Sequence, residues 1–139
     1  MKLSKELQEV QEKFSESPFW QTMGFELDHL EEGKSILKMP VSKGLENVLG
    51  TLHGGAYAGL LDTAMGITGR SVEKQPLVTI DMTIHYFRAV SEGAVYAEGK
   101  VLSRSSSLIT LEAKAYDESN NMVAHSVGGF KISRKASQR

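Results

Sequence analysis

Hydrophobic and polar residues alternate with two different periods along the chain, and these periods predict its helices and strands. Residues 3–16 carry apolar side chains at helical spacing, opposite a polar face of mixed charge. A second helix is predicted over Gly54–Arg70, where nearly every residue is apolar or small. Alternation of apolar and polar residues predicts a hairpin over 25–41 and strands over 77–87, 93–103, 107–117 and 121–133.

The order of these elements predicts an α+β fold. Short turns separate the late strands, which indicates that these strands pair antiparallel. An antiparallel sheet buries one face against a helix, so the helix Gly54–Arg70 is expected to pack on the sheet. With 139 residues, of which 40% are hydrophobic, the chain is expected to form one domain. Within it, an N-terminal amphipathic helix in residues 1–18 is expected to pack on a body formed by residues 19–139.

The strand over residues 77–87 is expected to divide its side chains between two faces. Strict alternation places on one face Ile80, Met82, Ile84 and Tyr86. The other face then carries Thr79, Asp81, Thr83, His85 and Phe87. Asp81 and His85 are too far apart along the strand to form an acid–base couple by themselves, so both are interpreted as surface residues.

Charge and composition argue against several classes of function. The net charge of −1 argues against a nucleic-acid-binding protein that relies on a basic surface. The chain has no cysteine, and its histidines and acids show no zinc-ligand spacing, so neither a metal nor another cofactor is expected. No apolar run approaches the roughly 20 residues that span a bilayer. The N-terminus lacks the apolar core of a signal peptide, so the protein is expected to be cytoplasmic, without membrane contact.

An acidic residue in the middle of the apolar helix is the first candidate for chemistry. Burying the Asp62 carboxylate costs free energy unless it has a partner or a chemical task. At the start of the same helix, Gly54 and Gly55 leave backbone N–H groups and the positive end of the helix dipole open to a ligand. A carbonyl oxygen that becomes an oxyanion suits that position. Structural hydrogen-bonding roles remain alternatives for Asp62 and for the preceding His53.

The spacing along the helix bears on how these groups cooperate. Gly55 and Asp62 are two turns apart on one face, at a distance of about 10 Å. One substrate carbonyl group cannot easily contact both positions. If both serve one reaction, a symmetric dimer is expected to bring Asp62 of one chain to Gly54 of the other.

These residues resemble a known family, the hotdog-fold acyl-CoA thioesterases of the phenylacetic-acid-degradation type. The family pattern has an Asn, a Gly, a His-Gly-Gly and, nine residues after the His, an Asp on the central helix. This sequence has Asn47, Gly50, His53-Gly54-Gly55 and Asp62, followed by the strand with Thr79–Tyr86. The likeness covers roughly residues 20 to 133. It implies that the antiparallel sheet wraps around a long central helix, that two domains pair, and that two dimers form a homotetramer.

The resemblance also implies hydrolysis of an acyl-CoA thioester and a role for each matching residue. The acyl carbonyl group would lie at the Gly54 N–H, assisted by Asn47 and His53. Asp62 of the partner chain would attack the carbonyl carbon or activate a water molecule, and Thr79 would orient the acid or the water. The family has a hydroxyl residue at the position of Thr79, which is a serine in one similar member, and the extra methyl group of Thr79 could crowd the site. Without the resemblance, Asn47 is interpreted as a residue that shapes a turn.

Several further residues are predicted to contact the substrate. The resemblance suggests that the CoA portion lies near Arg88. The turn with Arg104, Ser105 and Ser106 combines one cation with hydroxyl groups, so it is a candidate phosphate site, although serine-rich turns are also commonly structural. Gly55 belongs to the same predicted site. The acyl pocket is expected to be lined by Tyr57, Leu61 and Met65.

Other functions stay open at this stage. A dehydratase or hydratase that acts on acyl thioesters needs a histidine base together with an acid on the helix, and the position of His53 before the glycines fits this poorly. A non-catalytic module that binds or senses acyl-CoA would not require Asp62. A purely structural domain would leave the buried acid without a purpose. Aryl, phenylacetyl and medium-chain acyl groups are all compatible, and acyl carrier protein could replace CoA.

Overall fold

The computed structural model describes residues 2–133 and shows one six-stranded antiparallel sheet packed on a long helix. The helices are α1 (Lys5–Ser15), α2 (Pro18–Met23) and α3 (Gly54–Arg70), with a short 3₁₀ turn at Lys43–Leu45. The strands are β1 (Glu26–Glu31), β2 (Lys34–Pro40), β3 (Leu77–Tyr86), β4 (Ala94–Arg104), β5 (Leu108–Tyr116) and β6 (Met122–Ile132). In the sheet they follow the order β1-β2-β4-β5-β6-β3. Residues 134–139 of the predicted body lie outside the described residues.

The predicted elements are confirmed almost throughout, and α2 is the one that the pattern missed. The hydrophobic pattern predicts no element between the helix in residues 3–16 and the hairpin over 25–41. Pro18 instead occupies the start of α2, where its missing N–H costs nothing and its fixed φ favours a helix. Gly24 then ends α2 with a left-handed φ of 75°. Among residues 2–133, no helix is both long and apolar enough to cross a membrane.

Helix α3 crosses one face of the sheet at close range. Its apolar face is fully buried against β2, β4, β5, β6 and β3. The approach is closest at Gly99 of β4, where an added Cβ atom would lie 2.7 Å from the Ala64 carbonyl oxygen. The hydroxyl groups of Thr68 and Ser35, both buried, donate to that same carbonyl at 2.7 and 3.1 Å. The packing therefore requires a glycine at position 99. Both buried hydroxyl groups have a hydrogen-bond acceptor.

The strand β3 lies at one edge of the sheet and contains a bulge that the alternation did not predict. Its register with β6 shifts between Thr79 and Asp81, so Ile80 is an extra residue. Thr79 consequently stands opposite Phe130, which is buried beside α3. The prediction that Thr79 and Met82 occupy opposite faces is therefore wrong: both lie on the helix side, because the insertion of one residue reverses the alternation.

Gly99→Ala is expected to destabilise the protein by this close approach. The added methyl group would overlap the Ala64 carbonyl oxygen, and overpacking of this kind costs about 1–3 kcal/mol. Urea denaturation followed by circular dichroism measures the change in the free energy of unfolding. Gly44→Ala is the matched control, because a Cβ atom there meets no atom within 4 Å. Equal stability of the two variants would contradict the proposed packing constraint.

Candidate functional site

The N-terminus of α3 is built around His53, which is its N-cap residue. The His53 Nδ1 atom accepts a hydrogen bond from the Gly55 N–H at 2.7 Å. Since Nδ1 is the acceptor, a neutral His53 ring carries its proton on Nε2, and this side chain is exposed. The Gly55 N–H is thus occupied within the chain. The Gly54 N–H, in contrast, has no hydrogen-bond acceptor among residues 2–133.

Tyr86 ties the end of β3 to this helix start. Its hydroxyl group donates to the Gly54 carbonyl oxygen at 3.1 Å. Its ring packs edge-to-face on Tyr57 at 5.7 Å between centroids. Burial raises the pKa of Tyr57, so its hydroxyl stays protonated and donates to the Arg88 carbonyl at 3.1 Å. Alternation along the strand predicts only the face on which Tyr86 lies. It does not reveal the contact with Gly54, because the two residues are 32 positions apart in the sequence.

Four of the predicted site residues lie around one cleft. This cleft has a volume of about 360 Å³ and is lined by Asn47, Gly54, Tyr57, Tyr86 and Arg88, among others. It lies directly at the free Gly54 N–H. The structure therefore brings the predicted carbonyl-binding residues and Arg88 to the same end of α3.

Asn47 shapes the loop that leads into α3. Its side-chain oxygen accepts from the N–H groups of Leu49 and Thr51 at 2.9 and 3.1 Å. Its side-chain nitrogen donates to the Thr51 hydroxyl at 2.9 Å. An amide nitrogen carries two hydrogens, so one of them remains free to donate to a ligand in the cleft. The turn-forming interpretation of Asn47 is thereby confirmed, and a second role stays available.

Asp62 is held by a residue of the edge strand. The Thr79 hydroxyl donates to Asp62 Oδ1 at 2.8 Å. Asp62 is only partly buried, at the side of α3 that adjoins the edge strand β3. It is eight residues beyond Gly54, which corresponds to about 12 Å along the helix. Within one chain, the acid and the free N–H are therefore too far apart to contact one carbonyl group.

The prediction that Leu61 and Met65 line the acyl pocket is wrong. Leu61 and Met65 have no exposed surface, because they point into the sheet. The open face of α3 carries small residues instead, and Gly59 is one of them. The half-exposed ring of Phe19 packs there, so close that a Cβ atom at Gly59 would lie 2.8 Å from it. An aromatic ring of α2 therefore stands one helical turn from Asp62.

The candidate phosphate turn lies at the opposite end of α3. Arg104 forms an ion pair at 3.0 Å with Glu73, which follows the C-terminus of α3. The Ser105 hydroxyl donates to the Leu108 carbonyl at 3.3 Å and accepts from the Leu108 N–H at 3.1 Å, inside its own turn. Ser106 follows in this turn, and the end of α3 lies about 24 Å along the helix from Gly54. One chain does not bring Arg104, Ser105 and Ser106 to the cleft, and their role stays a prediction.

Metal-ligand clusters are absent from the described part of the chain. No group of three or more histidine and acidic side chains among residues 2–133 is arranged to hold a metal ion. The cleft itself offers the Gly54 N–H at the start of α3 and the second amide hydrogen of Asn47.

Known proteins resemble this chain in sequence and in fold. The chain is 29% identical over 128 residues to a candidate esterase of Saccharolobus solfataricus, covering 91% of this chain and 85% of that protein. It is 31% identical over 106 residues to the proofreading thioesterase EntH of Klebsiella pneumoniae, covering 75% and 77%. The PaaI protein from the phenylacetic acid degradation operon of Escherichia coli has the same fold, with a TM-score of 0.87 at 20% identity over 94% of this chain and 96% of that one.

The family comparison agrees with the predicted hotdog fold. The family model of the thioesterase superfamily matches residues 49–124, which is more than half of the 139 residues. The match includes the His53-Gly54-Gly55 start of α3, Asp62 and Thr79. The chain has the hotdog fold and belongs to the thioesterase superfamily.

Proposed function

We propose that the protein hydrolyses acyl-CoA thioesters at a site that two copies of the chain form together. The observation that carries this proposal is the Gly54 N–H, which lies in a cleft at a helix N-terminus without an acceptor among the described residues. Such a donor, aligned with the helix dipole, stabilises the oxyanion that forms when a thioester carbonyl is attacked. The Asp62 carboxylate, which accepts a hydrogen bond from Thr79, is the proposed general base or nucleophile.

The edge strand β3 supports the assembly of the two halves. Its apolar side chains Val78, Ile80 and Tyr86 are each about half exposed, and the adjoining Phe87 is as well. A ten-residue apolar edge strand readily pairs with another strand. Antiparallel pairing of two β3 strands about a two-fold axis puts the Thr79 end of one beside the Tyr86 end of the other.

The intrachain contacts convert this pairing into a complete site. Thr79 donates a hydrogen bond to Asp62, and Tyr86 donates one to the Gly54 carbonyl oxygen. Two-fold pairing of the strands therefore moves Asp62 of one copy towards Gly54 of the other. A tetramer of two such dimers is also proposed, on the family resemblance alone.

The proposed reaction has two possible first steps. In one, Asp62 removes a proton from a water molecule as the water oxygen bonds to the carbonyl carbon. In the other, the Asp62 carboxylate itself bonds to that carbon, and water later hydrolyses the resulting anhydride. In both, the carbonyl oxygen becomes an oxyanion at the Gly54 N–H, the C–S bond breaks, and CoA leaves as a thiolate that takes up a proton. His53 Nε2–H and the free Asn47 amide hydrogen are further donors.

Gly54→Pro is expected to lower kcat by about 10²–10³-fold without unfolding the protein, because it removes only the proposed oxyanion donor. Proline is favoured at the first position of a helix. The preceding His53 has φ −66° and ψ 140°, an extended conformation that a following proline accepts. Release of free thiol from a panel of acyl-CoAs measures the rate.

Gly54→Ala is the matched control for this substitution. It keeps the N–H, and its Cβ atom would lie at an ordinary contact distance of 3.7 Å from the Tyr86 ring. Activity of Gly54→Pro equal to that of Gly54→Ala would exclude the Gly54 N–H as the oxyanion donor.

Mixed dimers are expected to recover activity if the site is shared between chains. Asp62→Asn alone should lose at least about 10²-fold in kcat, because it removes the carboxylate and nearly preserves the shape. Co-expression with Gly54→Pro creates mixed dimers in which one site has both intact halves, so about a quarter of the wild-type activity should return.

The matched control co-expresses Asp62→Asn with the chain that carries both substitutions. No intact site forms there, and activity should remain at the level of Asp62→Asn. Recovery confined to the first pair supports the shared site. Two inactive mixtures would show that Asp62 and Gly54 act within one chain.

The acyl group is proposed to be apolar, of the aryl, phenylacetyl or medium-chain kind. The supporting observation is Phe19, whose half-exposed ring lies over Gly59, about 4.5 Å along α3 from Asp62. The ring is held edge-to-face against Phe25 at 5.9 Å between centroids. It presents an aromatic surface to a group that extends beyond the reacting carbonyl.

Phe19→Ala is expected to lower kcat/KM for phenylacetyl-CoA about tenfold relative to acetyl-CoA, because the larger acyl group loses its aromatic contact. The measurement is thiol release from both esters. Leu102→Ala is the control, since Leu102 is similarly exposed on β4. Equal losses on the two substrates would assign Phe19 to packing rather than to substrate selection.

A further inference from the structure

The bulge of β3 has a side-chain contact that the proposed reaction does not use directly. Asp81, the residue after the extra Ile80, accepts a hydrogen bond from the Gly129 N–H of β6 at 2.9 Å through Oδ1. A bulge disrupts the ladder of backbone hydrogen bonds at the point where it is inserted. The Asp81 carboxylate supplies an acceptor at that point, across the two strands that the bulge separates.

The neighbouring strand is shaped to receive this carboxylate. A Cβ atom at Gly129 would lie 2.6 Å from Asp81 Oδ1, so only glycine leaves space for the contact. At Gly128, a Cβ atom would lie 3.1 Å from the Met65 side chain and 3.2 Å from the Asp81 carbonyl oxygen. The pair of glycines in β6 thus allows the bulged strand to approach, and Asp81 fastens it there.

The bulge decides where the Thr79 hydroxyl points. Regular alternation would put Thr79 on the face opposite Met82, away from α3. The one-residue insertion at Ile80 turns Thr79 to the helix side, where its hydroxyl reaches Asp62 Oδ1 at 2.8 Å. The contact between Thr79 and the acid therefore exists only while the bulge is kept.

We propose that Asp81 is a positioning residue, which holds the bulge of β3 and thereby the hydrogen bond from Thr79 to Asp62. The proposal rests on the proposed thioesterase function, in which Asp62 is the reacting carboxylate. Asp81 accepts its hydrogen bond from β6, whereas Asp62 accepts from Thr79, so Asp81 acts through the backbone of β3. It extends the site to a residue that the sequence pattern assigned to the surface.

The test compares Asp81→Ala with Asp81→Asn in the full chain. Asp81→Ala removes the acceptor for Gly129, so kcat for the best acyl-CoA should fall at least about tenfold through misplacement of the acid, while KM changes little. Asp81→Asn keeps an oxygen that accepts the Gly129 N–H and should restore most of kcat. Gly129→Ala should reproduce the loss with Asp81 intact, since its methyl group displaces the carboxylate.

A double-mutant cycle with Thr79→Val separates positioning from a general structural role. If Asp81 acts through Thr79, adding Asp81→Ala to Thr79→Val should change kcat by less than about twofold. An independent, full loss in the Thr79→Val background would overturn the proposal. An unchanged kcat in Asp81→Ala itself would do the same.

A crystal structure of Asp81→Ala keeps the proposal testable even if the proposed activity fails. Should wild type release no thiol from any acyl-CoA, the thioesterase proposal is contradicted, whereas the positioning role is still judged by the distance from Thr79 Oγ1 to Asp62 Oδ1. Loss of this hydrogen bond in the variant supports the role. Retention of the 2.8 Å contact without Asp81 refutes it.

Discussion

The close packing of α3 across the sheet constrains the rest of the molecule. Because Gly99 has no side chain, the β4 backbone approaches the Ala64 carbonyl, and the apolar face of α3 is sealed against the strands. Whatever chemistry the helix supports must then use its two remaining features: the terminus at Gly54 and the residues that are not sealed against the strands. The free N–H and the carboxylate of Asp62 are found at these two positions.

The same edge strand donates a hydrogen bond to each of the two parts of the proposed site. Tyr86 at one end of β3 donates to the Gly54 carbonyl, and Thr79 near the other end donates to Asp62. The strand therefore sets both the position of the helix start and the direction of the acid. Since β3 is also the apolar edge of the sheet, the strand that contacts Gly54 and Asp62 is the one proposed to join two copies. The proposed assembly and the proposed chemistry therefore depend on one strand.

Much of the fold followed from pattern alone, because it depends on local regularities. The boundaries of α3 and the alternation of β4, β5 and β6 were visible in the spacing of apolar residues. The bulge at Ile80 was not, since no residue type marks it and it arises from pairing with the Gly128-Gly129 segment of a distant strand. The short helix α2 was missed because proline is typical both of the segment after a helix and of the first position of a helix.

The sequence by itself determined the residues of the candidate site: an acid on an apolar helix, glycines at its start, and a spacing of two turns that no single carbonyl group can bridge. These are properties of one helix, and its geometry is known once its residues are. Only the tertiary structure decided that Gly54 keeps a free N–H whereas His53 occupies that of Gly55. It alone also turned Thr79 towards Asp62 and buried Leu61 and Met65. The reason is physical: hydrogen-bond partners and burial depend on which distant segments meet, and local spacing along the chain carries no record of that.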